Sequence, residues 1–251
     1  MRATKLEFRL RMAINTAIII LGFWAPWIEA WGPRAQFAHR IPLLEWLPLE
    51  LSRARVLSFT LGSPIVIVAA AIIAGVGAIL RVWGSSYLGP ATVHNLKMKA
   101  GAVMADGPYR YVRNPLYLGL WCMVAAVAFL MPPTGALCTM TVLTFFLMRL
   151  ILGEEAFLSA QLGEPYHAYT RAVPRLIPRL HSTLPRTGAA PQWLPGVLTE
   201  ITPIGVFVAL AFLSWSYDNR LMVKAIIVSL GLSLVARALT PGVLPGANPA
   251  D

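Results

Sequence analysis

The sequence predicts an all-α, polytopic membrane protein with five to six transmembrane helices, and three observations support this fold class. Hydrophobic residues make up 57% of the 251 residues and charged residues only 13%, whereas soluble domains carry about 25% charged residues. The apolar residues are gathered in long uncharged runs, which suit membrane-spanning helices. The formal net charge is +10, but no compact basic stripe accompanies it. We therefore expect a membrane as a partner, and no nucleic acid.

The first predicted span covers residues 12–28, which contain no charge. Four basic residues precede it, as in a secretory signal peptide, but no small-residue cleavage site follows. Trp24 and Trp27 instead are typical of the aromatic belt at a membrane interface. We expect a retained helix and a periplasmic loop within a first segment, 1–55.

The next three spans come from two uncharged runs. Residues 56–80 form a run of 25 residues, which suits one span. Residues 114–148 form a run of 35, and a Pro-Pro pair at 132–133 interrupts it. Because proline breaks a helix interior, the sequence predicts a tight hairpin of two helices over 116–131 and 134–152.

A linker rich in proline, threonine and glycine then separates a core, residues 56–180, from a C-terminal segment, 181–251. This last segment holds a predicted span at 201–217 and a less regular one at 221–239. With six spans and the N-terminus inside, 15 of the 21 Lys and Arg residues fall on the inner side. By the positive-inside rule, this favours a bacterial inner-membrane protein with a cytoplasmic N-terminus and active site.

Common catalytic and metal-binding motifs are absent from the sequence. There is no Walker loop, no paired-histidine zinc helix and no serine elbow. Gly75 and Gly77 lack the third glycine of a dinucleotide loop and favour close helix packing. The four histidines are scattered and both cysteines lie in apolar runs, so we expect no metal site.

Two polar clusters remain. The segment 107–117 holds three tyrosines, two arginines and an asparagine before the hairpin, although an interfacial belt would have a similar composition. Glu154 and Glu155 follow the hairpin's predicted second helix; they are either solvated or paired, because unpaired carboxylates at a membrane boundary are costly. Since a hairpin returns the chain to the side it left, the two clusters should converge into a pocket for a small zwitterionic ligand with an aromatic base.

These residues resemble a known family. GPYRYVRNPLY (107–117), the hairpin, EE (154–155) and LGEPYHAYTRAVPRLIP (162–178) are similar to the isoprenylcysteine carboxyl methyltransferase and phospholipid methyltransferase superfamily. The resemblance covers about residues 90–180. It implies a membrane methyltransferase that uses S-adenosylmethionine without a Rossmann domain. Its acceptor would be a lipid or lipidated small substrate, reached by direct in-line methyl transfer.

The resemblance also implies site residues. Arg149 and Glu154 would be catalytic. The cofactor-binding set would be His94, Gly101, Ala102, Val103, Met104, Tyr109, Asn114, Pro115, Glu154 and Glu155.

Two positions depart from the family pattern. Many members carry histidine where this chain has Asn114. The prenylcysteine branch carries an arginine one turn before the first glutamate, where this chain has Leu150. Arg149 is the nearest arginine, but on a straight helix it lies about 140° from Glu154.

Two alternatives remain open. A membrane reductase of the sterol-reductase type would use NAD(P)H, and Arg171, Arg175 and Arg179 would bind its 2′-phosphate. The second alternative is a non-catalytic membrane factor of the same fold. The sequence leaves the methyl acceptor and the oligomeric state undetermined.

Overall fold

The computed structural model describes residues 2–24, 41–88, 105–182 and 184–239. Within these stretches all regular structure is helical, so the all-α prediction is confirmed. Ten α-helices and one short 3-10 helix are present there. The α-helices are α1 (Lys5–Arg9), α2 (Arg11–Trp24), α3 (Leu43–Arg53), α4 (Phe59–Leu88), α5 (Pro115–Ala128), α6 (Pro133–Leu162), α7 (Glu164–Ala172), α8 (Trp193–Thr199), α9 (Ile201–Ser216) and α10 (Asn219–Leu239).

The described residues contain fewer candidate membrane spans than the five to six that the sequence predicts. Only α4 and α6, of 30 residues each, are long and apolar enough to cross a membrane by themselves. The α8–α9 pair, bent by 69°, makes a third if it is counted as one span. An uncharged run overestimates helix length because it also counts residues in turns. Helix α5 has only 14 residues, below the roughly 17 that a span needs. Helix α2 has 14 described residues, and residues 25–28 of its predicted span lie outside the described part of the chain.

Helices α5 and α6 form the predicted hairpin. Pro132 caps the start of α6, and the two helices run antiparallel from there. Near the middle of the hairpin, Trp121 Nε1 donates to Thr144 Oγ1 at 2.9 Å. At its open end, Asn114 Nδ2 lies 3.4 Å from Glu155 Oε1. The hairpin therefore brings residue 114 and residue 155 together, as the sequence predicts.

Helix α6 is longer than predicted. It continues ten residues beyond position 152 and ends at Gly163, whose φ of +60° favours glycine. The intervening alanine, leucine, glutamate and glutamine residues are good helix formers. Glu154 and Glu155 consequently lie within α6 rather than directly after it.

Helix α4 is the central helix of the fold and packs against α3, α5, α8 and α9. Small residues allow this close packing. A Cβ at Gly77 would lie 2.9 Å from the Gly119 carbonyl oxygen of α5, and one at Gly75 would lie 3.0 Å from the Phe207 ring of α9. The prediction that Gly75 and Gly77 serve helix packing is confirmed.

Candidate functional site

Glu155 lies at the centre of an ion-pair network at the open end of the hairpin. Its Oε2 is 2.7 Å from Arg175 Nη2, and its Oε1 is 3.1 Å from Arg113 Nη1. The Arg175 Nε adds contacts of 3.1 and 3.0 Å to the two oxygens. The Glu155 side chain is only 11% exposed, so its charge is balanced by guanidinium groups rather than by water. The hydrogen bonds that Arg175 donates to the Glu155 carboxylate raise the pKa of Arg175, which keeps this guanidinium charged.

Backbone hydrogen bonds hold the two segments that supply these arginines side by side. The Arg113 amide donates to the Pro174 carbonyl at 2.9 Å, and the Arg179 amide donates to the Tyr111 carbonyl at 3.0 Å. Asn114 Nδ2 also donates to the Arg175 carbonyl at 3.2 Å. The chain after α7 thus runs along the segment before α5.

Tyrosines from both segments form a buried cluster. The Tyr169 hydroxyl donates to the Tyr109 carbonyl at 2.8 Å. The Tyr109 hydroxyl is also buried but has no hydrogen-bond partner among the described residues. Burial raises the pKa of Tyr109 well above its usual value, and the neighbouring Tyr169 and Glu154 raise it further. Burial likewise raises the pKa of Tyr166 to about 12. These phenols are therefore neutral at physiological pH.

Glu154 has different surroundings from Glu155. Its polar neighbours are the Tyr117 hydroxyl of α5 and, at longer range, Arg11 at the start of α2. No salt bridge to it occurs among the described residues, whereas Glu155 has two. Consecutive residues on a helix point about 100° apart, so the two carboxylates face different partners.

Arg149 is paired with the N-terminal segment. Its Nη2 lies 2.8 Å from Glu7 Oε2 and 3.4 Å from the Arg2 carbonyl, and its own carbonyl accepts from the Ala3 amide at 3.1 Å. Glu7 lies 142 positions before Arg149 in the sequence, so no local pattern indicated this pairing. The catalytic role of Arg149 stays a prediction.

Asp106 anchors the linker beside this site. Its carboxylate accepts hydrogen bonds from the Thr187 amide at 3.0 Å and the Ala189 amide at 2.8 Å, and also from the Thr187 hydroxyl. Burial alone would raise the pKa of Asp106, but these bonds outweigh it and lower the pKa. Sequence reasoning missed this anchor; the only signal was a lone carboxylate just before the 107–117 segment.

The site therefore contains part of the predicted set. Tyr109, Asn114, Pro115, Glu154 and Glu155 lie together at the open end of the hairpin, with Pro115 buried at the first position of α5. His94 and residues 101–104 lie outside the described residues. Arg175, which the sequence suggested only for a reductase, was missed as the partner of Glu155.

The proposed phosphate-binding arginines of that reductase each have a separate partner. Arg171 pairs with Glu164, Arg175 with Glu155, and Arg179 donates to the Ala172 carbonyl at 2.8 Å.

Comparison with known proteins supports the resemblance. The family model for phospholipid methyltransferases matches residues 65–164, a region that contains all of α5 and α6 and most of α4. Searches among curated proteins and among solved structures give no significant match for this chain. Residues 65–164 thus match the phospholipid methyltransferase family, which lies within the superfamily that also contains the isoprenylcysteine carboxyl methyltransferases.

Proposed function

We propose that this protein is a membrane methyltransferase that transfers a methyl group from S-adenosylmethionine to a lipid or a lipidated small substrate. The observation that carries the proposal is the family match over the hairpin, whose open end gathers Tyr109, Tyr117 and Glu154. The active site and N-terminus would face the cytoplasm of a bacterial cell, in line with the distribution of basic residues.

The described residues fit this cofactor. The Glu154 carboxylate has no guanidinium partner within salt-bridge distance among them, so it is free to pair with the cofactor's ammonium group. The Tyr109 hydroxyl is buried and has no partner within the described part of the chain, and a ligand polar group would satisfy it. The Tyr117 ring adjoins Glu154 and offers an aromatic face to a cation. His94 and residues 101–104 would complete the cofactor pocket.

Methyl transfer mainly requires that the methyl donor and the acceptor are aligned. When bound, S-adenosylmethionine supplies an electrophilic methyl group, whose bond to sulfur breaks as the acceptor's lone pair bonds to carbon. The protein must hold the acceptor in line with that bond and exclude water. A carboxylate acceptor needs no base, whereas an amine acceptor must lose a proton. Glu155 is held by two arginines and Glu154 would pair with the cofactor's ammonium group, so His94 would be the remaining candidate base for an amine acceptor.

Binding of the cofactor tests the proposal. Isothermal titration of the purified protein with S-adenosylmethionine and S-adenosylhomocysteine should show binding of both. Glu154→Gln should weaken it by about 1.5–3 kcal/mol, which is roughly 10- to 150-fold in Kd. Glu164→Gln is the matched control, because Glu164 is an exposed glutamate outside the site, and it should bind like the wild type. A wild-type protein that binds neither compound would refute the proposal.

A further inference from the structure

An apolar groove lies between α4 and the bent α8–α9 pair, outside the hairpin site. Its volume is about 510 Å³, within the usual range for ligand pockets. One wall is a single stripe of α4 from Gly75 to Trp83, and the other comes from α8 and α9. The nine lining side chains are glycine, alanine, valine, isoleucine, phenylalanine and tryptophan. Such a lining offers nothing to a polar ligand.

The fold holds this groove in shape. The axes of α8 and α9 differ by 69°, so α8 turns away from the line of α9 and leaves a space beside α4. Glu200 lies at the bend, and its fully buried carboxylate pairs with Arg81 of α4. At one end Phe207 packs on Gly75, and at the other Gly196 packs on Ser86. The groove is therefore preformed, which lowers the cost of binding.

The groove is continuous with a large apolar surface. Five side chains along one face of α4 are each 45–66% exposed. They are Ile65, Val68, Ile72, Val76 and Ile79. Ile79 also lines the groove, so a hydrocarbon chain can pass from this face into the groove without crossing a polar group. Because α4 is long and apolar enough to span a membrane, lipid is the neighbour that this face meets.

The other end of the groove approaches the candidate site. Trp83 lines the groove, and its ring centroid lies 6.0 Å from that of Tyr111. Tyr111 belongs to the 107–117 segment, between Arg110 and Arg113. A lipid whose chain lies in the groove would therefore have its headgroup on the side of this basic, aromatic segment.

We infer that the groove binds one hydrocarbon chain of the lipid that accepts the methyl group; the assignment of that lipid as acceptor rests on the proposed function. The C-terminal helices α8 and α9, which lie outside the family match, are then a substrate-binding wall.

Two matched pairs of substitutions test this. Val197→Trp fills the groove, whereas Val208→Trp changes a valine of equal exposure (39% and 38%) outside it. Ile79→Trp and Ile72→Trp form a second pair on α4, in case one groove variant does not fold. The proteins are placed in nanodiscs of phosphatidylethanolamine and phosphatidylglycerol, and the retained lipid is counted by native mass spectrometry. We expect the groove variants to lose retained phospholipid and the controls to keep it.

Kinetics separate this inference from the proposed function. With phosphatidylethanolamine as the acceptor, the groove variants should raise the lipid KM by about tenfold while kcat and the affinity for S-adenosylmethionine stay unchanged. A photoreactive p-benzoylphenylalanine at position 79 should capture one phospholipid; capture of a second copy of this chain would overturn the inference. Equal lipid retention by Val197→Trp and Val208→Trp would also overturn it. If lipid occupies the groove but no S-adenosylmethionine binds, the proposed function fails, and with it the assignment of that lipid as acceptor.

Discussion

Arg81 and Glu200 lie 119 positions apart in the chain and meet in a two-pronged ion pair. Arg81 Nε is 2.6 Å from Glu200 Oε2, and Nη2 is 3.0 Å from Oε1. The Ser85 hydroxyl donates to the same carboxylate at 2.6 Å, and the Glu200 side chain has no exposed surface. Because Arg81 lies on α4 and Glu200 between α8 and α9, this pair attaches the C-terminal helices to the family-matched region.

Removing one partner of this pair should destabilise the protein strongly. We expect Glu200→Ala to lower the free energy of unfolding by about 3–5 kcal/mol, because it leaves the Arg81 charge poorly compensated in a buried place. Glu50→Ala breaks an exposed pair with Arg53 and should cost less than about 1 kcal/mol. Denaturant unfolding in micelles measures both. Equal losses in the two variants would contradict the structural role of the buried pair.

The stability of the protein should respond differently to loss of charge at the two adjacent glutamates. Glu155→Gln removes the negative charge that pairs with two guanidinium groups and replaces one acceptor oxygen with an amide donor, so it should lower the unfolding free energy by about 1.5–3 kcal/mol. Glu154→Gln breaks no salt bridge seen among the described residues, so it should leave the stability of the cofactor-free protein unchanged or higher. Thermal unfolding of the two variants side by side measures this difference. A larger loss of stability in Glu154→Gln than in Glu155→Gln would mean that Glu154, and not Glu155, is the glutamate that stabilises the fold.

The hairpin was predictable from sequence, whereas the division of roles between these glutamates was not. A Pro-Pro pair inside a 35-residue uncharged run predicts a turn, and a turn alone makes residues 114 and 155 converge. The partner of Glu155 depends on where the chain runs after α7, which is a long-range relationship between Arg175 and the segment before α5. A single residue of offset then rotates the side chain by about 100°. The end of α5 was likewise not predictable from the sequence, because the helix and the turn that follows it are both uncharged.

Substitutions of Arg149 and Glu7 should have different effects on methyl transfer. Either Arg149→Gln or Glu7→Gln breaks their ion pair and should expose the N-terminal segment to limited proteolysis at equal rates. If Arg149 replaces the family arginine that handles the acceptor, only Arg149→Gln lowers methyl transfer beyond this shared effect, and we expect that result. The measurement is the initial rate of transfer to lipid for the two variants. Equal rates would exclude a contact between Arg149 and the acceptor.

Tyr109→Phe should separate stability from ligand binding. Its hydroxyl is buried with no hydrogen-bond partner among the residues that the structure describes, so its removal should raise the unfolding free energy of the ligand-free protein by about 1 kcal/mol. The same change should weaken S-adenosylmethionine binding, because the ligand loses a hydrogen-bond partner. Tyr169→Phe is the matched control: its hydroxyl donates to the Tyr109 carbonyl, so its loss should lower stability by about 1 kcal/mol. Destabilisation by both substitutions would show that the Tyr109 hydroxyl is already satisfied without ligand.

Asp106 should make stability depend on pH at the acid end. Its folded pKa is lowered from the ordinary value of 3.8, so its contribution is fully present above pH 3.8 and is lost as pH falls through the folded pKa. We expect Asp106→Asn to be less stable than the wild type by a constant amount from neutral pH to about pH 5. Below the ordinary value that difference should shrink, because the wild-type carboxyl then also becomes neutral. Thermal unfolding in an acid-stable detergent measures it, with Thr187→Val as a second variant that removes one donor to the same carboxylate. A difference that persists unchanged below the folded pKa would show that the anchor does not depend on the charge of Asp106.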